Sequence, residues 1–246
     1  MRFLYGVNPV IEALRAHPGD IKRVLIERGR DGRRSAGGDK IAEAAKLLGV
    51  RVEDAPFGDL TRRTQGGVHQ GVGAEMNDLA YAELPDLIER AESAGHPALL
   101  LMLDGVTDPQ NFGALVRSAY ALGADGVIVP KDRAAGLTPA ASKAAAGALE
   151  HCPIARVTNL SRSIDELKEA GVWTVALAAE GDKDLAEIDL TSPIALVMGS
   201  EGAGVRKLVR EHCDHVARIP MAGNLGSLNV SAAGAIALYE VIRQRR

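Results

Sequence analysis

A chain of 246 residues with net charge −3 and 46% hydrophobic residues has room for one large or two small domains, and its balance excludes a disordered or fibrous protein. Aromatic residues make up only 3%, so the core has to be built from Ala, Val, Leu and Ile. No apolar run approaches the roughly 20 residues of a membrane helix, MRFLYGVNPV lacks a signal-peptide core, and Cys152 and Cys213 show neither metal nor disulfide spacing. A reduced cytoplasmic protein is expected, with both cysteines as small buried hydrophobes.

Residues 1–75 read as a small α/β unit. Asn8-Pro9 opens a helix, since proline lacks only an N–H that the first turn does not use. Val10, Ile11 and Leu14 give that helix an apolar face. A strand is expected at Arg23–Glu27, a helix at Asp39–Leu48 with Gly49 as its stop, and a short strand at Val50–Glu53. The glycine-dense Gly66–Val72 bends a last strand or loop. This portion holds 13 Lys/Arg against 10 Asp/Glu, and the remainder holds 16 against 22. Arg28, Arg30, Arg33 and Arg34 cluster around Gly29 and Gly32. Such a loop suits phosphate contacts, but solvation explains it equally well.

Residues 77–97 are acidic and end in Gly95-His96-Pro97, which marks a linker with an exposed helix over Leu84–Ala94. From Ala98 a strand–helix alternation begins. Strands are expected at Leu99–Leu103, Val127–Val129, Ile154–Val157, Val172–Ala178, Ile194–Met198 and Val216–Ile219. Helices are expected at Asn111–Leu122, Pro139–Leu149, Ser163–Ala170 and Val205–His212. Continuous apolar strands between amphipathic helices predict a parallel sheet covered on both faces. Domains are therefore placed at 1–76 and 98–246, joined by 77–97.

Three stretches carry candidate chemistry. In LDGVTDPQNFGALVRSAYALGA, Asn111 sits at a helix start, where it serves as cap or polar site residue, and Arg117 points away from the apolar face. In GSEGAG, close-set glycines after a buried strand let backbone approach a ligand, with Glu201 inside the loop. This loop is neither a Walker loop nor a dinucleotide fingerprint, which argues against a nucleotide- or NAD-binding protein. In IPMAGNLGSLNVS, Asn224, Ser227, Asn229 and Ser231 crowd one loop; they cap the last helix or hold a polar ligand. His69, His96, His151, His212 and His215 show no metal pattern, and no metal is expected.

In order and spacing these three stretches resemble the motifs of the SpoU/TrmH RNA 2′-O-methyltransferases. YGVNPVIEAL and GGVHQGVGAE resemble the small RNA-binding domain of the bacterial branch that methylates guanosine in 23S rRNA. The resemblance implies an α/β SPOUT-type methyltransferase domain tied in a trefoil knot, a homodimer, and S-adenosyl-L-methionine held by loops after Ala178, Met198 and Ile219. It places Gly199, Ile219, Met221 and Leu228 at the cofactor, and Asn111, Arg117, Glu201, Ser227 and Asn229 at the catalytic site. Arg28, Arg30, Arg33 and Arg34 are the candidate RNA contacts, on the strength of their clustered charge. Asn224 and Gly226 stand where relatives often carry serine, while Ser227-Leu228-Asn229 is intact. Alternatives left open are the same chemistry on tRNA or another rRNA site, or a ribosome-assembly factor without turnover.

Overall fold

The computed structural model describes residues 1–223 and 226–246. It divides into two compact units, residues 1–80 with 137–151, and residues 81–136 with 152–246.

The first unit runs β1 (Arg2–Tyr5), α1 (Val7–Ala16), β2 (Ile21–Glu27), α2 (Ala36–Leu47), β3 (Val52–Ala55), α3 (Asp59–Arg63) and β4 (Val72–Met76). Its sheet order is β1-β4-β2-β3, with only the β2–β3 pair parallel. Val10 and Leu14 of α1 and Ile41 and Ala45 of α2 are buried against Val24, Ile26, Val72 and Ala74. The helix stop expected at Gly49 is there, at φ 71°. β1 escaped the sequence reading because a single edge strand shows too short an alternation, and α3 because it is barely one turn.

On the face of this sheet that also carries Phe3, Glu75 accepts two bonds from Arg23 (2.8 and 2.7 Å) and one from Arg63 (2.8 Å). The hydrogen bonds from Arg23 come first, and together with Arg63 they outweigh burial and hold the Glu75 carboxyl below its ordinary value of 4.5. A lowered carboxyl stabilises the fold above its ordinary value and loses that contribution as pH falls through its folded-state value. Urea midpoints of the wild type should therefore drop from about pH 5 downward more steeply than those of Glu75→Gln. Parallel profiles would show that this cluster is not part of the acid sensitivity.

The second unit runs α4 (Leu84–Ser93), β5 (Leu99–Asp104), α5 (Pro109–Ala121), β6 (Gly126–Pro130), then, beyond α6 (Pro139–Ala144), β7 (Ile154–Val157), α7 (Leu160–Glu169), β8 (Trp173–Leu177), β9 (Lys183–Asp184), β10 (Ile194–Gly199), α8 (Lys207–His212), β11 (His215–Arg218) and α9 (Val230–Gln244). All strands are parallel, in the order β7-β6-β5-β10-β8-β11-β9. One face packs Leu100, Met102, Ala195 and Val197 against α4, α7 and α8. The other is covered by α5 and α9, which cross at Gly234, where a Cβ would meet Leu115 Cδ2 at 2.3 Å.

Two expectations need correction. The helix over Leu84–Ala94 is exposed on one side only, because Leu84, Leu87 and Ala91 recur at helical spacing and are buried in the second unit's core. The helical stretch Pro139–Leu149 does not join the alternation that surrounds it in sequence. It becomes α6 and a short 3-10 turn at Ala148–Glu150, and both belong to the first unit. The reason is a buried ion pair, in which Arg2 grips Glu150 through two bonds of 2.9 and 2.6 Å.

Candidate active site

The site lies at the carboxyl end of the parallel sheet. There β8, β10 and β11 empty into loops around a cavity of ≈ 780 Å³. Leu177, Met198, Ile219, Leu228 and Val230 give it apolar walls, and Gly199, Gly202, Gly204 and Gly226 contribute bare backbone. All six residues expected at the cofactor (Ala178, Met198, Gly199, Ile219, Met221 and Leu228) line this cavity. So do Ser227, Asn229 and Glu201.

The Gly-rich loop is closed on itself. Ser200 and Gly204 exchange two backbone bonds (3.2 and 2.9 Å), and Gly202 and Gly204 take positive φ (83° and 65°). Gly199 pairs in register with Asp104 at the end of β5. The buried Asp104 carboxylate accepts from the Arg206 backbone N–H (2.8 Å) and from Arg206 Nε (2.7 Å). It thus staples the far end of the loop to the sheet. An amide at this position cannot accept both bonds without presenting its own NH2 to a donor. Asp104→Asn should cost about 2 kcal/mol of stability and loosen the loop. Thermal unfolding together with calorimetric titration of S-adenosylmethionine checks this, and unchanged cofactor affinity would refute the staple.

At the rim three side chains meet from three distant segments. Asn229 Nδ2 donates to Glu201 Oε1 (2.6 Å) and to Asn111 Oδ1 (2.9 Å), and Asn111 Nδ2 donates to the same Glu201 oxygen (3.1 Å). The local structure explains the aim of each group. Asp108, not Asn111, caps α5, accepting from the Gln110 and Asn111 N–H groups, so the Asn111 amide is left free for the site. Asn229 does both jobs. Its Oδ1 caps α9 by accepting from Ser231 N (2.9 Å) and Ala232 N (3.4 Å), which turns its NH2 toward Glu201.

Arg117 is not brought into this cluster. It stands exposed on α5, one turn from the exposed Tyr120, and makes no ion pair among the described residues. Asn224 lies outside the described residues. Of the four clustered arginines of the first unit, Arg28 and Arg34 are both spent on Asp54 (2.7 and 2.6 Å), while Arg30 and Arg33 are exposed. Asp104 escaped the sequence reading because nothing in its own segment foretells Arg206. Glu180, at the cavity edge and ion-paired with Arg210, escaped for the same reason. Cys152 and Cys213 are unsuited to nucleophilic attack, because burial pushes each thiol up to about 12. Among the described residues no group of three potential ligands could hold a metal ion, and no helix is long and apolar enough to cross a membrane.

The SpoU rRNA Methylase family matches residues 98–239, and a family described as RNA 2′-O ribose methyltransferase substrate binding matches residues 3–82. The chain is 45% identical to the 23S rRNA (guanosine-2'-O-)-methyltransferase RlmB of Coxiella burnetii, over 100% of this chain and 96% of that one. It is 46% identical to the protein of the same name from Pseudomonas aeruginosa, over 98% and 96%. The crystal structure of the SpoU methyltransferase AviRb from Streptomyces viridochromogenes, solved with AdoMet, is 30% identical and superposes with a TM-score of 0.79, covering 99% of this chain and 89% of that one. A parallel sheet that ends in this cavity, and sequence likeness along its whole length, make the chain a member of the SpoU RNA methylase family.

Proposed function

We propose that the chain transfers a methyl group from S-adenosyl-L-methionine to the ribose 2′-hydroxyl of a guanosine in 23S rRNA. The observation that carries this is the Asn111–Glu201–Asn229 cluster on the rim of the cavity. Residues 1–76 then serve as the RNA-binding domain, 77–97 as the connection and 98–246, apart from the 137–151 that fold with the first unit, as the methyltransferase domain, in keeping with the two family matches.

The cavity suits the cofactor. Leu177, Met198, Ile219 and Leu228 offer apolar walls for an adenine, and the bare backbone at Gly199, Gly202 and Gly204 lets a ligand approach closely. Bound there, the cofactor supplies an activated methyl group. The protein's own work is orientation and charge management. Glu201 fixes both amides through one oxygen, and Asn229 and Ser227 stand where they can orient the incoming hydroxyl. Arg117 presents a planar fork of donors, and its role is to clamp an RNA phosphate through a bidentate contact.

The enzyme works as a homodimer in the cytoplasm. Ile236 and Tyr239, one turn apart on α9, are 44% and 54% exposed, an apolar strip that a second copy would cover. The trefoil thread belongs to the same proposal. It is supported by the insertion of β10 between β5 and β8 and by the crowding of Gly199 against Gly204 and Val205.

The test is transfer of tritiated methyl to unmodified 23S rRNA and to unmodified tRNA, followed by nucleoside analysis. Label as 2′-O-methylguanosine in 23S rRNA alone is expected. Label in tRNA would overturn the substrate, and RNA binding without label would turn the chain into an assembly factor.

A further inference from the structure

The four clustered arginines do not form one positive loop. Arg28 and Arg34 converge on Asp54; burial opposes its ionisation, but the two guanidinium bonds outweigh it and hold the Asp54 carboxyl below its usual range. Arg28 also donates to Gly32 O (2.7 Å), and the turn is closed by Gly32 N–H to Gly29 O (2.9 Å) and Gly29 N–H to Arg33 O (2.8 Å). Asp31 is spent on the Arg33 backbone N–H (3.1 Å). The loop is therefore a built hairpin whose internal charges are matched. What it presents outward is Arg30 and Arg33.

Arg30 does not hang free. Its guanidinium carbon lies 5.1 Å from the centre of the Phe57 ring. Phe57 is one of only three phenylalanines in the chain, and it is 57% exposed. A large aromatic side chain left in water, with a planar cation set over it, is a poor use of a scarce core residue. It is the arrangement that proteins use to stack an unpaired nucleobase, whose π face any flat aromatic or guanidinium plane accepts. Arg33, on the same hairpin, is placed to meet the neighbouring phosphate.

We propose that Phe57 and Arg30 form a stacking platform for one unpaired base of the RNA substrate, with Arg33 contacting the backbone beside it. The inference rests on residues 1–76 being the RNA-binding module. It adds that this module reads single-stranded rather than duplex RNA.

The test measures binding of a labelled single-stranded RNA of about 12 nucleotides, and of a blunt duplex of the same length, to the full chain. Phe57→Ala should weaken single-strand binding about tenfold, leave duplex binding nearly unaltered, and raise KM for 23S rRNA. Phe57→Trp should retain binding. Arg30→Lys should lose part of the affinity while keeping the same salt dependence, since the charge stays and the plane goes. Thermal stabilisation of Phe57→Ala by S-adenosylmethionine should match wild type, which reports an intact fold. Single-strand affinity of Phe57→Ala within about twofold of wild type, or equal losses on single strand and duplex, would overturn the platform. The double variant Arg30→Ala/Arg33→Ala separates the two levels. If it weakens RNA binding and Phe57→Ala does not, only the platform fails. If neither does, the module itself has been misread.

Discussion

Gly199→Ala is expected to abolish cofactor binding and to destabilise the second unit by about 3 kcal/mol or more. A Cβ on residue 199 would lie 1.9 Å from the Gly204 carbonyl carbon and 2.0 Å from the Val205 nitrogen. Neither neighbour is a flexible side-chain end. Both belong to a backbone held by the Ser200–Gly204 bridge on one side and by the Asp104–Arg206 bonds on the other. Residue 199 is itself fixed in register with Asp104. The strain can be relieved only by pushing the loop away from β10, which opens the cavity wall formed by residues 199–205. A loss of this size is a large part of the total stability of an ordinary domain. Thermal unfolding with and without S-adenosylmethionine reads both effects. A variant with the wild-type midpoint and the wild-type cofactor shift would mean that the loop can retreat at no cost, and the crowding would not be a constraint.

Arg117→Ala is expected to lower kcat/KM by about 10²- to 10³-fold, with little change in stability or cofactor affinity. The side chain is exposed and engaged in no ion pair among the described residues, so the fold does not depend on it. On the role proposed above, its value lies in a charge and a planar pair of donors offered to an RNA phosphate. Arg117→Lys keeps the charge and loses the fork, so it should recover only a minor share of the lost activity. Full turnover in Arg117→Lys would rule out the bidentate clamp. A matching loss of thermal stability in Arg117→Ala would instead point to a structural role.

Much of the site was legible before the fold. Asn111, Glu201, Ser227 and Asn229 were singled out from three short stretches, and the first, second and last of these share hydrogen bonds at the cavity rim. They were legible because each motif carries its own local geometry: a helix start, a glycine turn, a polar cap. Asn111 and Asn229 also show why single residues were ambiguous. A capping asparagine and a site asparagine look alike in sequence, and only the presence of Asp108 three residues earlier frees Asn111 from the cap. The arginine cluster was legible as charge but not as function. Pairing with Asp54 depends on a strand 20 or more residues away, so which two of the four remain available is a matter of distance through space.

The sequence by itself determined that residues from 98 onward make a parallel sheet covered on both faces, that its last strands end in backbone-rich loops, and which polar residues those loops carry. Periodicity and turn chemistry are local, and they report which side of an element is buried and where it stops. The tertiary structure alone decided the strand order, which sets β10 between β5 and β8 and so lays Asp104 beside Gly199. It alone decided that Leu137–His151 belongs with the first unit, through Arg2 and Glu150. A burial pattern records that a face is covered but not by which neighbour, and a charge finds its partner by proximity in the folded chain.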